Sequence, residues 1–223
     1  MTSMINRRIV GEFIGTAMLL IAVVGSGIMA ERLAGGNMAV ALLANTLATG
    51  AALVALIFTF APISGAHFNP LVSAFETFEG GIGDHLGHIF AQILGALAGV
   101  GIANLMFELP MYFASTKVRT GFAQWLGEFV ATFGLIAVIH SCSRLQKANI
   151  VPFVVAAYIT GAYWFTSSTS FANPAVTIAR SLSDTFAGIR PADILGFVIA
   201  QTLGAIAATL IFRWLVPHKK DEY

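Results

Sequence analysis

The chain has 223 residues, of which 57% are hydrophobic and only 10% are charged, with a net charge of +1 and a mean hydropathy of +0.81. Ordinary globular proteins carry about 25% charged residues, so this composition predicts a polytopic membrane protein and gives no sign of nucleic-acid binding. Cys142 is the only cysteine, which excludes an intramolecular disulfide and a cysteine-rich metal site.

Six apolar stretches are predicted to be membrane spans, because a helix needs about 20 apolar residues to cross about 30 Å of hydrocarbon. They are residues 9–30, 38–60, 86–109, 122–140, 150–166 and 194–216. The first is interpreted as a span rather than a cleaved signal peptide, and the fifth is short. An even number of spans puts both termini on one side. Seven Lys and Arg residues on that side against five on the other favour cytoplasmic termini in the plasma membrane.

The two halves of the chain resemble each other. The stretch "GEFIGTAMLLIAV" is repeated as "GEFVATFGLIAVI", and "FAQILGALAGV" is repeated as "IAQTLGAIAAT". Each repeat contains three spans, an odd number, so the second copy must be inverted in the membrane. We therefore expect a single membrane domain over residues 1–223, built from inverted repeats at about 1–115 and 116–223.

Each repeat also contains an Asn-Pro pair followed by an apolar stretch that is too short to cross the membrane. Asparagine is a favoured N-cap and proline is favoured in the first helical turn, so each stretch predicts a short helix. About ten residues at 1.5 Å per residue give about 15 Å, half the membrane. In inverted repeats the two half-helices would meet at the midplane, where irregular backbone is allowed only inside protein or beside water. Their N-termini, each with roughly +0.5 charge, would repel cations.

These paired motifs resemble those of the major intrinsic proteins, the aquaporins and glycerol facilitators. The segments "SGAHFNP" and "ANPAVTIARSL", with the two "GEF" and two "AQ-LGA" segments, carry a resemblance that covers nearly the whole chain. It implies an all-α membrane protein with six transmembrane helices and two re-entrant half-helices, the aquaporin hourglass, assembled as a homotetramer. We expect the first half-helix to form although Leu71 stands where alanine is usual. The implied midplane residues are Asn69, Pro70, Leu71, Asn173, Pro174 and Ala175.

The resemblance also implies four selectivity-filter positions, placed by their spacing from the motif asparagines: Thr49, Gly161, Ser170 and Val176. Water-selective members usually have phenylalanine, histidine and arginine among them, and this chain has none there. Val176 stands where the family has arginine. Arg180 is not expected to replace that arginine, because four residues correspond to about 6 Å of helical rise.

These substitutions predict a wide, weakly polar filter for small neutral solutes such as water, glycerol, urea, hydrogen peroxide or undissociated antimonite and arsenite. Because the chain is similar to metalloid-associated bacterial members of the family, arsenite-type solutes are the favoured distinguishing cargo. The predicted function is a passive channel rather than an enzyme, since motifs such as H-E-x-x-H and G-x-S-x-G are absent from the sequence.

Glu12 and Glu128 lie inside predicted spans, where acids are costly and usually functional. In the family the matching glutamates accept hydrogen bonds from the half-helix loops, and this anchoring role is the favoured interpretation. The alternative is a proton-coupled small-solute carrier that uses both acids. Gln92 and Gln201 are expected to bond the helices or loops in the same way.

His67 belongs to the "SGAHFNP" turn and is expected to line the cytoplasmic vestibule. His85 and His88 lie three residues apart on one helical face beside Asp84, so a metal site is conceivable. Solvated histidines at the start of the third span are the favoured interpretation, so no metal and no cofactor are expected. The expected partners are neutral solutes, the lipid bilayer and further copies of the chain, and no nucleic acid.

Overall fold

The computed structural model describes residues 2–80, 85–145 and 147–216, and regular structure in these ranges is helical throughout. The helices are α1 Thr2–Leu33, α2 Met38–Ser64, α3 Pro70–Gly80, α4 Leu86–Met106, α5 Phe122–Arg144, α6 Val151–Phe165, α7 Pro174–Arg180 and α8 Ile194–Leu215. Of these, α1, α2, α4, α5 and α8 are long and apolar enough to cross a membrane. The helix α6 has 15 residues and is about 22 Å long. The predicted all-helical membrane fold is confirmed.

The two halves of the chain pack in the same way. In the first half α1 packs against α2 and α4, and in the second half α5 packs against α6 and α8. Glycines allow the close contacts: a Cβ atom added to Gly95 would lie 2.3 Å from the Phe13 carbonyl oxygen, and one added to Gly204 would lie 2.4 Å from that of Phe129. Small residues therefore let the helix backbones approach each other closely, as in other membrane bundles.

Polar and apolar side chains are distributed as a bilayer requires. Large apolar side chains such as Phe90, Leu195 and Trp214 are exposed on the outside of the bundle, whereas Glu12 and Glu128 are fully buried inside it. Because lipid cannot hydrogen-bond to a carboxylate, interior positions are where such groups find protein partners.

The half-helices α3 and α7 both begin at the proline of an Asn-Pro pair. Leu71 does not prevent α3 from forming, and its side chain packs, partly buried, beside Val72 and Phe75. With seven residues, α7 is shorter than the ten predicted. It ends at Arg180, and the next residue, Ser181, turns its hydroxyl back to the Ile178 carbonyl oxygen at 2.7 Å. This bond satisfies a terminal carbonyl group that the helix leaves open.

A candidate solute pore

The two Asn-Pro motifs bind each other's loops. The Asn69 side-chain amide donates to the Ala172 carbonyl oxygen at 2.8 Å, and the Asn173 amide donates to the Phe68 carbonyl oxygen at 2.7 Å. Each side-chain oxygen also accepts from its own half-helix, as in the 2.9 Å bond from the Ala175 N–H to Asn173. The N-termini of α3 and α7 therefore meet head to head. Each amide uses one of its two N–H groups in the cross-bond, and the second can serve a solute.

The loops that precede the half-helices share an unusual backbone. Ala66 and Phe68 in the first loop have φ values of 53° and 50°, and Ser170 and Ala172 at the matching positions have 49° and 50°. Residues with side chains adopt this left-handed conformation at a cost of order 1–3 kcal/mol each. The surrounding contacts must therefore hold both loops in place.

The glutamates of α1 and α5 supply those contacts. The Glu12 carboxylate accepts from the backbone N–H groups of His67 at 3.0 Å and Phe68 at 2.7 Å. The Glu128 carboxylate accepts from the N–H groups of Phe171 at 2.8 Å and Ala172 at 2.9 Å. Each acid thus bonds two consecutive N–H groups of the loop in its own half.

Two glutamines connect these acids to the half-helices. The Gln92 amide donates to Glu12 at 2.7 Å and to the Ser73 hydroxyl at 2.8 Å. In the second half the Gln201 amide donates to Glu128 at 2.6 Å and to the Thr177 hydroxyl at 2.8 Å. The sequence motif "AQ-LGA" therefore places a bridging amide at the same position in both repeats.

An elongated cavity of about 350 Å³ passes both motif asparagines. Its wall includes Val151 and Tyr163, which lie twelve residues apart on α6 and are therefore separated by about 18 Å along the helix axis. Carbon side chains make up most of the wall, and the polar groups lie at a few positions that include Asn69 and Asn173. This is the shape of a pore with a few solute-binding points.

The cavity wall includes three of the four residues that were assigned to the filter. Thr49, Ser170 and Val176 line it, whereas Gly161 does not, and α6 contributes Tyr163 instead. Two residues along an α-helix correspond to a rotation of about 200°, so Gly161 faces away from the pore. The Tyr163 hydroxyl lies 3.4 Å from the Thr49 hydroxyl. In the cavity wall α6 thus presents Tyr163 where the spacing predicted Gly161, and which residues form the filter stays a prediction.

The pore wall also contains an arginine, Arg180, that was not expected to replace the missing filter arginine. Arg180 lines the cavity, and its guanidinium lies over the Phe171 ring, 3.4 Å from the ring centroid, while its Nε donates to the Ala187 carbonyl oxygen. Val176 does leave its own position uncharged. The cavity as a whole is not uncharged, because the side chain of Arg180 reaches the wall from the end of α7.

A second arginine supports this end of the pore. Arg119, in the loop between α4 and α5, has its guanidinium 4.9 Å from the centroid of the same Phe171 ring. Its NH1 donates to the Ser168 carbonyl oxygen at 2.9 Å. Burial lowers the pKa of Arg119 to about 10, so the side chain still carries its charge at neutral pH. In the described part of the chain, neither Arg119 nor Arg180 forms an ion pair with a carboxylate.

The three histidines of the first half lie together. His67 lines the cavity, and His85 and His88 contact it from the start of α4. The interpretation of His85 and His88 as solvated is wrong, because they are only 8% and 2% exposed. They face the half-helix loop rather than the membrane surface. Asp84, their neighbour in the sequence, lies outside the described residues.

A helical bundle in which two half-helices meet beside an elongated cavity defines a membrane channel. The family profile "Major intrinsic protein" matches residues 1–166. Aquaglyceroporin AqpS of Rhizobium meliloti (strain 1021) is 54% identical over 95% of this chain and 91% of the relative. Aquaporin AqpM of Methanothermobacter marburgensis is 29% identical over 95% of this chain and 98% of the relative.

The X-ray structure of the aquaglyceroporin from Plasmodium falciparum has the same fold, with a TM-score of 0.72 at 20% identity, and covers 96% of this chain and 97% of that structure. The chain belongs to the major intrinsic protein family, whose members are passive channels for water and small solutes and not enzymes.

Proposed function

We propose that the protein is a passive channel for small neutral solutes, wide enough for glycerol-sized polyols and for undissociated metalloids such as arsenite. The observation that carries the proposal is Val176 in the cavity wall at the position of the family's filter arginine. Valine adds neither a charge nor a long side chain, so position 176 leaves more room and less selectivity for water.

The polar groups in the wall suit solutes that carry several hydroxyl groups. The amides of Asn69 and Asn173 can donate hydrogen bonds, and the hydroxyls of Thr49 and Tyr163 can donate or accept them. A polyol or an undissociated oxyacid would exchange part of its hydration for these groups while its remaining surface contacts apolar wall. The name of the relative that is 54% identical, an aquaglyceroporin, supports the same class of cargo.

The carrier that uses Glu12 and Glu128 has no support in the geometry. Both carboxylates are fully buried, and neither residue is part of the cavity wall. From the residues that the structure describes, Glu12 accepts four hydrogen bonds and Glu128 accepts three. A proton on either acid would break bonds that hold a half-helix loop. The proposed role of both residues is therefore to anchor the loops.

The proposal includes a homotetramer in the plasma membrane with both termini in the cytoplasm. The family and the apolar outer surface support assembly within a bilayer. The small excess of Lys and Arg on the side of the termini supports the orientation.

The function is tested by stopped-flow light scattering of proteoliposomes under gradients of sucrose, glycerol and urea, with arsenite uptake measured by mass spectrometry. Val176→Trp, which fills the wall at the filter, and empty liposomes are the controls. We expect glycerol and arsenite fluxes that are proportional to the gradient and insensitive to a protonophore. Water flux without glycerol or arsenite flux would contradict the wide filter. Saturable flux that is lost with the proton gradient would favour the carrier.

A further inference from the structure

Three histidines from two segments of the chain form a compact cluster beside the pore. His67 belongs to the loop between α2 and α3, His85 directly precedes α4, and His88 lies in the first turn of α4. The ring centroids are separated by 5.8 Å for His67 and His85, 5.6 Å for His67 and His88, and 5.5 Å for His85 and His88. The three side chains can each offer one nitrogen such that all three nitrogens lie within 4.8 Å of one another.

We propose that this histidine cluster binds a first-row transition-metal cation such as Zn²⁺, and that the bound metal restricts the pore. In a tetrahedral zinc site with Zn–N bonds of about 2.0–2.1 Å, the ligand nitrogens lie about 3.3 Å apart. The widest pair therefore has to close by at most about 1.5 Å, which rotations of the histidine side chains can supply. Three imidazoles suit Zn²⁺, Cu²⁺ and Ni²⁺, and leave a fourth position for water.

The surroundings of the cluster provide the outer contacts that metal-binding histidines use. His67 Nδ1 lies 3.0 Å from the Ser73 hydroxyl, so the metal bond would be made by the other ring nitrogen. Ser73 accepts from Gln92, which also donates to the Glu12 carboxylate. Such outer partners fix the orientation of a ligand ring, and the nearby carboxylate offsets part of the charge of a cation.

His88 provides an independent indication of a ligand. Its side chain is 2% exposed, and its Nδ1 atom is buried without a hydrogen-bond partner in the described ranges. A buried polar atom with no partner costs free energy, and native proteins leave few of them. A metal bound by the cluster would take a nitrogen of this ring as a ligand and let the other turn toward a partner.

The position of His67 connects the cluster to solute flow. His67 lines the cavity, and its backbone N–H is bonded to Glu12. A metal that joins its ring to His85 and His88 would tie the half-helix loop to α4 and place a positive ion at the pore wall. Solute flux should therefore fall when the site is filled. The effect on flux rests on the proposed channel function, whereas metal binding by itself does not.

Binding is tested on the full chain, purified without a polyhistidine tag and stripped with a chelator, by titration with Zn²⁺ against a chromophoric chelator and by X-ray absorption at the zinc edge. We expect one Zn²⁺ per chain with imidazole ligands. The variants His85→Gln and His88→Gln should weaken binding by at least about 100-fold, and Ser73→Ala by about 10- to 100-fold, the usual loss for an outer partner.

The matched control is His140→Gln, because His140 is also buried but packs against Phe75, 5.0 Å between ring centroids, away from the cluster. It should bind Zn²⁺ like the wild type. Absence of binding in the wild type, or unchanged binding in both His85→Gln and His88→Gln, would overturn the site. The titrations do not depend on which solute the channel carries.

Regulation is tested by measuring glycerol and water fluxes in proteoliposomes with and without Zn²⁺, each variant being normalised to its own metal-free flux. We expect Zn²⁺ to lower wild-type flux reversibly, with recovery after chelation, and to leave that of His85→Gln unchanged. Full wild-type flux at a Zn²⁺ concentration that saturates the titrated site would overturn the restriction of the pore. Absence of glycerol flux in metal-free wild type would instead contradict the proposed function.

Discussion

An arginine introduced at position 176 would share one face of α7 with Arg180. Both residues line the cavity in the present structure, and they lie one helical turn apart. Two positive charges about 6 Å apart repel by about 3 kcal/mol at an effective dielectric constant of about 20. Val176→Arg should therefore narrow the pore and also destabilise the protein by up to that amount.

The repulsion is measured by a double-mutant cycle. Arg180→Leu removes the native charge. Comparison of the two single variants with the double variant gives the coupling energy between the charges. It also separates that energy from the loss of the contacts of Arg180 with Phe171 and Ala187. We expect a coupling energy of about 3 kcal/mol between the two charges, measured in the free energy of unfolding. High salt should reduce this coupling energy, because ions in the water of the pore screen the two charges.

Transport by the same variants is measured by stopped-flow light scattering. Val176→Arg and the double variant should both lose glycerol and arsenite flux while retaining most water flux, because an arginine at position 176 fills space that larger solutes need. Val176→Leu is the neutral control for added bulk. Wild-type glycerol flux through a folded Val176→Arg protein would refute the assignment of position 176 to the filter, as would equal loss of all three solutes.

Three further outcomes are expected. Glu12→Gln and Glu128→Gln should each lower the yield of folded protein, because a glutamine amide leaves one or both of the backbone N–H groups without an acceptor, at a cost of about 1–3 kcal/mol each. The yield is measured by size-exclusion chromatography. A folded variant whose transport has lost only its dependence on the proton gradient would contradict anchoring. The wild-type pore should exclude cations and protons, because the half-helix N-termini at Asn69 and Asn173 and the charge of Arg180 all oppose positive ions. The measurements are conductance and dye-reported proton flux in proteoliposomes. A cation or proton current above that of empty liposomes would refute the exclusion. Arg180→Met should raise the cation permeability above that of the wild type in the same conductance assay. A charge about 5 Å from the pore contributes about 3 kcal/mol to the barrier for cations at an effective dielectric constant of about 20. Equal cation permeability of the variant and the wild type would show that the half-helix dipoles exclude cations without Arg180.

The helices and the starts of the two half-helices could be predicted from the sequence because they depend on local patterns. Hydropathy placed the spans to within a few residues at most ends, and the Asn-Pro pairs marked the start of both half-helices. The repeat then implied that the half-helices meet. The structure adds that each asparagine bonds the opposite loop, a contact between residues about one hundred positions apart.

The residues of the cavity wall and the histidine cluster were harder to predict from the sequence. They depend on the rotation of each residue around its helix axis and on contacts between distant segments. A shift of two residues exchanges Gly161 for Tyr163 at the pore wall. Nothing in the local sequence indicates that the loop containing Arg119 folds back toward Phe171. The spacing of His85 and His88 did place them on one face, but only the packing of α4 shows that this face points inward to His67.

The hydrogen bonds that hold the half-helix loops fall into two groups, those within one repeat and those between the two repeats. The bonds from Glu12 to His67 and Phe68 lie within the first repeat, so that repeat can hold its own loop as soon as its helices have been inserted. The bond from Asn69 to Ala172 needs the second repeat, which is synthesised later. The contact between the two half-helix loops is therefore completed only when the two repeats dock. If the chain were cut between the repeats, each half would keep its own loop anchored by its glutamate. The asparagine amide of each half would lack its acceptor until the two halves associate.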